Sequence, residues 1–153
     1  MSFLSKVRTA VVRPAEPLSG PRRWGSVALG SFLAFAGTSH LTFARQEFQA
    51  QVPEWVPLNE DAVVLLSGVA EISLGAALIL LRKRQVPVGL AAAAFFVAIF
   101  PGNIPQYVTS TDAFGLDTDR ARLVRLFFQP LLVLWALWST GAWKALRGQP
   151  KDG

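Results

Sequence analysis

The fold is decided by the stretch AVVLLSGVAEISLGAALILLRKR, residues 62–84. Residues 62–81 contain a single charged side chain, Glu71, and they are followed at once by three basic residues. A helix needs roughly 20 predominantly apolar residues to cross the hydrocarbon core of a bilayer. Residues 62–81 are therefore predicted to form a membrane-spanning helix.

Three further apolar segments extend this interpretation over most of the chain: residues 24–43, 86–108 and 123–143. The third of the four spans, 86–108, is continuously apolar only up to the motif PGNIP at 101–105. At about 1.5 Å per residue, that first part is too short for a core of roughly 30 Å. We therefore predict a helix with a proline break near 101–105; the alternative is an irregular turn inside a protein-lined cavity.

The distribution of Lys and Arg orients the four spans. Of the 15 basic residues, eleven lie before residue 24, at 82–84 or after residue 143. The four on the opposite side are Arg45, Arg120, Arg122 and Arg125. Because cytoplasmic loops carry the excess of Lys and Arg, both termini are predicted to be cytoplasmic. The expected fold is all-α: a membrane four-helix up-down bundle at 24–143, flanked by cytoplasmic tails at 1–23 and 144–153.

The composition excludes several kinds of function. The chain has no cysteine and one histidine, so disulfides, thiolate metal sites and bis-histidine haem ligation by one copy are excluded. We expect no metal site and no intrinsic cofactor. The net charge of +5 is explained by basic residues at the ends of membrane spans, so we expect the lipid bilayer, and no nucleic acid, as a partner.

Polar residues inside the predicted spans are the candidates for function. They are Glu71, His40, Asn103, Arg125 and Gln129. An ionisable group within a membrane span is costly and usually marks a ligand, ion or proton site. The predicted topology places these five residues in one polar cluster in the outer half of the bundle. We expect all five to bind a ligand, and Glu71 and His40 are the candidates for a catalytic role. The alternative is that they only hydrogen-bond one helix to another.

Five stretches of the chain resemble the DoxX-like family of small bacterial four-helix membrane proteins. These are AGTSHLTF (36–43), VPEWVP (52–57), SGVAEISLGAALIL (67–80), FFVAIFPGNIPQY (95–107) and RLVRLFFQPLLVLWALW (122–138). Family members often have PAN where this chain has Pro101-Gly102-Asn103. This chain therefore keeps the asparagine, and its glycine is expected to loosen the turn. The resemblance implies a multi-pass protein of the bacterial inner membrane. It also implies a loose link to redox complexes, because the family is named after a subunit associated with thiosulfate:quinone oxidoreductase.

Two functional classes follow from these observations. In the first, the chain is an accessory membrane subunit of a redox system, with a redox partner protein, and its polar cluster binds a quinone or a small sulfur compound. In the second, it is a non-enzymatic binder or carrier of a small lipid-soluble molecule. A stand-alone enzyme is not expected, because the chain lacks a nucleophile–base pair and a phosphate-binding loop. If it is enzymatic, it is an oxidoreductase subunit.

Overall fold

The computed structural model describes residues 2–108 and 118–148, apart from the side chain of Gln106. Within these residues the chain is helical and contains no strand, so the all-α prediction is confirmed for them. A short 3₁₀ turn at Arg82–Arg84 joins the fourth and fifth α-helices. The α-helices are α1 (Phe3–Val12), α2 (Gly20–Leu41), α3 (Arg45–Gln49), α4 (Glu60–Leu80), α5 (Gln85–Val108), α6 (Asp119–Ser139) and α7 (Ala142–Arg147).

Three segments of the described chain are long and apolar enough to cross a membrane. They are Glu60–Leu80, Arg82–Pro105 and Asp119–Ser139. The first predicted span, 24–43, corresponds to α2, which is not among the three. Helix α2 is rich in glycine, serine and threonine, and these residues make it less apolar than α4 and α5.

The four long helices pack around one apolar core. Helix α2 packs most extensively against α4, and α5 against α6, while α2 also contacts α6 and α4 contacts α5. The core residues include Leu29, Leu33, Leu78, Phe96, Leu132 and Ala136. The indole N–H of Trp135 on α6 donates to the carbonyl of Gly25 on α2 at 3.0 Å. One side chain therefore links the two helix pairs at the end where α2 begins.

Helices α2 and α4 are antiparallel and approach each other closely at two pairs of glycines. A Cβ on Gly30 would lie 2.7 Å from the carbonyl oxygen of Gly75, and one on Gly37 would lie 2.5 Å from that of Gly68. Real Cβ atoms do not approach backbone oxygen this closely. Small residues are used in this way where helix backbones pack in lipid, and here they set the distance between α2 and α4.

Both ends of α4 have their backbone groups satisfied by neighbouring side chains. At the start, the side chain of Asn59 accepts a hydrogen bond from the backbone N–H of Asp61 at 2.9 Å. At the other end, the carbonyl of Leu78 accepts from Ser26 at 3.2 Å and from the buried amide of Gln85 at 3.1 Å. Arg23 also donates to this carbonyl at 3.3 Å. Because the last carbonyls of a helix lack intrahelical donors, this network fixes α4 to α2 and α5.

The predicted break in the third span is wrong. Helix α5 continues through Pro101 and Pro105 to Val108. A proline inside a helix removes one backbone hydrogen bond, but in bundles neighbouring helices often supply replacement partners. Here the amide of Gln129 on α6 donates to the carbonyl of Phe96 on α5 at 2.7 Å. The carbonyl that Pro101 leaves without its helical donor is that of Val97, four residues earlier. The bond to Phe96 therefore does not replace the missing one, but it holds α5 to α6 one residue before it.

The predicted boundaries of the two tails also need correction. Residues 1–23 include helix α1 and the first turn of α2, and α1 packs against α7 and α5. The fourth span is predicted at 123–143, but α6 begins at Asp119 and ends at Ser139. Gly141 follows with a φ of 74°, a left-handed conformation that glycine adopts readily, and α7 starts after it. The first part of the predicted tail 144–153 belongs to α7, and residues 149–153 lie outside the described residues.

Candidate functional site

A cavity of about 370 Å³ lies among α2, α4, α5 and α6, next to the segment that connects α2 to α4. Its volume is at the lower end of the range for small-molecule sites, roughly 300–1,000 Å³. All five predicted site residues, His40, Glu71, Asn103, Arg125 and Gln129, line this one cavity. Most of the remaining wall is apolar and includes Phe32, Leu33, Val64, Phe96, Phe128 and Leu132. The cavity therefore combines apolar walls with a small set of polar groups.

His40 and Glu71 form a buried pair on the α2–α4 side of the cavity. His40 is 6% exposed and Glu71 5% exposed, and the His40 Nδ1 and Glu71 Oε2 atoms lie 2.8 Å apart. Among the described residues neither atom has a hydrogen bond of standard angular geometry. A contact at this distance is favourable when a proton lies between the two atoms, because two lone pairs would otherwise repel each other. The two side chains therefore form a buried ionisable pair beside the cavity.

The glycine contact between α2 and α4 positions this pair. Gly37 lies three residues before His40, and Gly68 three residues before Glu71. A Cβ on Gly37 would lie 3.0 Å from the Cβ of Glu71, and one on Gly68 would lie 3.0 Å from the Cβ of His40. The close approach of the two backbones is therefore what brings the imidazole within reach of the carboxyl group.

Asn103 and Gln129 form the amide side of the site. The Nδ2 of Asn103 donates to the Oε1 of Gln129 at 3.2 Å, and Gln129 donates in turn to the carbonyl of Phe96 at 2.7 Å. Gln129 is 6% exposed. Because both ends of its amide group are engaged, its orientation is fixed. The more exposed Asn103 is the better placed of the two to exchange partners with a ligand.

Arg125 connects the cavity to the segment between α2 and α4. Its Nη2 donates to the Oε1 of Gln51 at 2.8 Å. The same segment is held to α4 at Asp61, which pairs with Arg45 and accepts from Gln49 at 2.7 Å. Since α3 and the residues after it are fastened to both α4 and α6, they form a fixed cover over one end of the cavity.

The structure adds residues that the sequence patterns did not single out. Gln51 and Ser67 line the cavity, and so does Phe48, whose ring meets that of His40 edge-on at an interplanar angle of 85°. Phe48 and Gln51 belong to a polar connecting segment with no helical or strand periodicity. Ser67 precedes Glu71 by one helical turn, and this spacing is the single sequence signal that could have identified it.

The side chains at this site supply hydrogen bonds, charge and an ionisable pair. Among the described residues no group of three or more His, Cys, Asp and Glu side chains is placed to hold a metal ion. The cavity offers the ionisable pair of His40 and Glu71, an amide that can donate and accept, and a guanidinium group. These groups suit a molecule with an apolar body and a small polar head.

A family model described as "Domain of unknown function (DUF8561)" matches residues 29–140. The matched region contains all five predicted site residues. No curated protein and no solved structure matched the chain. The resemblance to DoxX-like proteins is not tested by these comparisons and stays a prediction.

Proposed function

The chain belongs to the DUF8561 family, and we propose that it is an integral membrane protein whose cavity binds a small lipid-soluble molecule with a polar head. The observation that carries this proposal is the composition of the cavity wall. Apolar side chains from all four long helices surround it, while His40, Glu71 and Asn103 offer hydrogen bonds at its edge. Ligand sites typically have this combination of apolar walls and a few placed polar groups.

We propose further that all four long helices cross the membrane and that both termini are cytoplasmic. Helix α2 has 22 residues, which corresponds to about 33 Å and is enough for a hydrocarbon core of roughly 30 Å. It packs along α4, which is apolar enough to span the membrane, and contacts it at two glycine pairs that lie seven residues apart. The excess of Lys and Arg before α2, between α4 and α5 and after α6 supports the orientation.

Single cysteines test this topology, since the native chain has none. Lys83 and Glu54 are both exposed and lie at opposite ends of α4. We expect a cysteine at Glu54 to react with a membrane-impermeant maleimide added to intact cells, and a cysteine at Lys83 to react only after the cells are opened. Reaction of both cysteines in intact cells, or the reverse pattern, would refute the proposed orientation.

A quinone is the ligand that we favour, within an accessory subunit of a redox system. A quinone takes up protons when it is reduced, and we propose the His40–Glu71 pair beside the cavity as their source, because an imidazole and a carboxyl group can both carry a proton. The electrons would come from a partner protein, which agrees with the redox link implied by the DoxX-like resemblance. A small sulfur oxyanion is a weaker candidate, because Arg125, the cation in the cavity wall, already donates to Gln51, and a carboxyl group and mainly apolar walls do not favour an anion. A passive lipid-soluble ligand would use the same cavity without a redox change.

Filling the cavity tests the proposal directly. Ser67 lines the cavity on α4, whereas Ser73 on the same helix is exposed and outside it. We expect Ser67→Phe to remove at least nine-tenths of any co-purifying small molecule, because the phenyl ring would occupy the ligand's space. Ser73→Phe should leave that amount unchanged. Mass spectrometry of organic extracts from protein purified in mild detergent measures both.

Two results would count against the binding proposal. One is the absence of any stoichiometric small molecule in the wild-type protein together with no binding of added ubiquinone or menaquinone. The other is equal retention of a ligand by Ser67→Phe and by wild type. A retained ligand that shows no absorbance change on chemical reduction would leave the binding proposal standing and refute the quinone.

A further inference from the structure

The N-terminal helix α1 exposes large apolar side chains next to basic ones. Phe3 is 70% exposed, Leu4 77% and Val12 68%. The same short segment carries Lys6, Arg8 and the helix-ending Arg13, and α1 contains no acidic residue. A helix that combines apolar and basic side chains in this way is typical of one that lies in a membrane interface.

The position of α1 places it beside other basic and aromatic groups. It packs against α7 and the start of α5 through a side that includes the buried Ala10. Helix α7 carries Lys144 and Arg147, and the guanidinium group of Arg147 lies 4.7 Å from the ring centroid of Trp143. The backbone N–H of Ala15 donates to the carbonyl of Lys83 at 3.3 Å. Helix α1 therefore lies at the basic end of the four long helices, where α4 turns into α5.

We propose that α1 is an in-plane membrane anchor that binds anionic lipids on the side of the α4–α5 turn. Leu4, Val11 and Val12, which share the exposed side of α1, lie among the acyl chains nearest the surface, and Lys6, Arg8 and Arg13 contact headgroup phosphates. Charge complementarity identifies the partner, because basic side chains near a bilayer are attracted to anionic lipids. The exposed apolar residues of α1 lie at the end of helices that are proposed to cross the membrane, so a lipid surface is already next to them. Docking of a soluble protein would not require this position. The inference rests on the proposed membrane spanning of the long helices.

The test uses the full chain with one cysteine at Val12, labelled with an environment-sensitive fluorophore and reconstituted into vesicles. The vesicles consist of phosphatidylcholine with or without phosphatidylglycerol, and a lipid with a quencher near its glycerol backbone is added. We expect quenching of the label in the anionic vesicles. The double variant Lys6→Gln/Arg8→Gln should reduce the ratio of bound to unbound α1 by about 25-fold, because each basic side chain contributes roughly a fivefold factor.

Matched controls test whether the side chains of α1 itself are responsible for the quenching. Arg82→Gln/Arg84→Gln removes two exposed charges at the same end but outside α1, and it should leave the quenching unchanged. Leu4→Gln tests the apolar contribution without altering any charge, and it should lower the quenching in both kinds of vesicle. Gel filtration in detergent confirms that each variant is folded.

Three outcomes would overturn the inference. The first is a label that stays in water in both kinds of vesicle. The second is quenching that responds neither to phosphatidylglycerol nor to Lys6→Gln/Arg8→Gln. The third is a label that is already shielded from water in detergent, because two chains associate through α1. Extraction with alkaline carbonate separates failure of the anchor from failure of the proposed membrane spanning. A chain that is washed off the vesicles does not span them. A chain that is retained while its α1 stays in water refutes the anchor alone.

Discussion

Replacing Gly37 with alanine is expected to lower the free energy of unfolding by about 1–3 kcal/mol, the usual cost of overpacking a tight contact. The added methyl group would lie 2.5 Å from the carbonyl oxygen of Gly68 and 3.0 Å from the Cβ of Glu71. Because the first neighbour is backbone, the clash cannot be relieved by a side-chain rotation, and α2 must move away from α4. Thermal unfolding in detergent measures the effect as a lower melting temperature.

Gly20→Ala is the matched control for this substitution. It also adds one methyl group to α2, but nothing lies within 4 Å of the added Cβ. We expect its melting temperature to stay close to that of wild type, because the helix preference of alanine is offset by the crowding of its Cβ against the ring of Pro21. Equal melting temperatures for Gly37→Ala and Gly20→Ala would show that the α2–α4 contact does not hold the bundle together.

Replacing Glu71 with glutamine is expected to weaken ligand binding by about 10- to 100-fold and to leave the fold intact. Glutamine keeps the shape of the side chain, but a neutral amide replaces the ionisable group that lies 2.8 Å from His40. A hydrogen bond to a charged group contributes about 1.5–3 kcal/mol, which is the source of this range. The amount of ligand retained per chain, measured by mass spectrometry, reports the loss.

Glu60→Gln is the control for the same chemical change on the same helix. Glu60 is exposed in the first turn of α4, so its substitution should affect neither ligand retention nor redox titration. If Glu71→Gln retains the ligand as well as Glu60→Gln does and changes only the melting temperature, His40 and Glu71 serve to join α2 to α4. The cavity would then lack the proton-holding function proposed for it.

The positions of the five polar residues were within reach of sequence analysis. An acid in an apolar helix such as α4 has few tolerable environments, and the glycines one turn away indicate the side that faces another helix. The same reasoning applies to His40, which follows Gly37 on α2. That these residues line one cavity therefore follows from helix periodicity and direction. Their roles in binding or catalysis stay predictions.

Other features depend on contacts between distant parts of the chain, which local patterns do not report. The hydrogen bond that holds α5 to α6 just before its two prolines joins Gln129 to Phe96, 33 residues apart. The cover over the cavity relies on Gln51 and Arg125, 74 residues apart. The prolines and charges of residues 1–23 predict only a tail there. Helix α1 precedes those prolines and is stabilised by packing against α7 and α5.

The two prolines of α5 also determine how the site can move. Neither Pro101 nor Pro105 has a backbone N–H, so two hydrogen bonds, four residues apart, are missing from one face of the helix end. Segments with fewer backbone hydrogen bonds open at a lower free energy than the rest of a fold. Asn103 lies between the two prolines, on turns of α5 that we expect to open more readily than the rest of the helix. The ligand proposed above is therefore expected to enter or leave the amide side of the cavity by fraying of this helix end, while the glycine-packed pair of α2 and α4 stays closed.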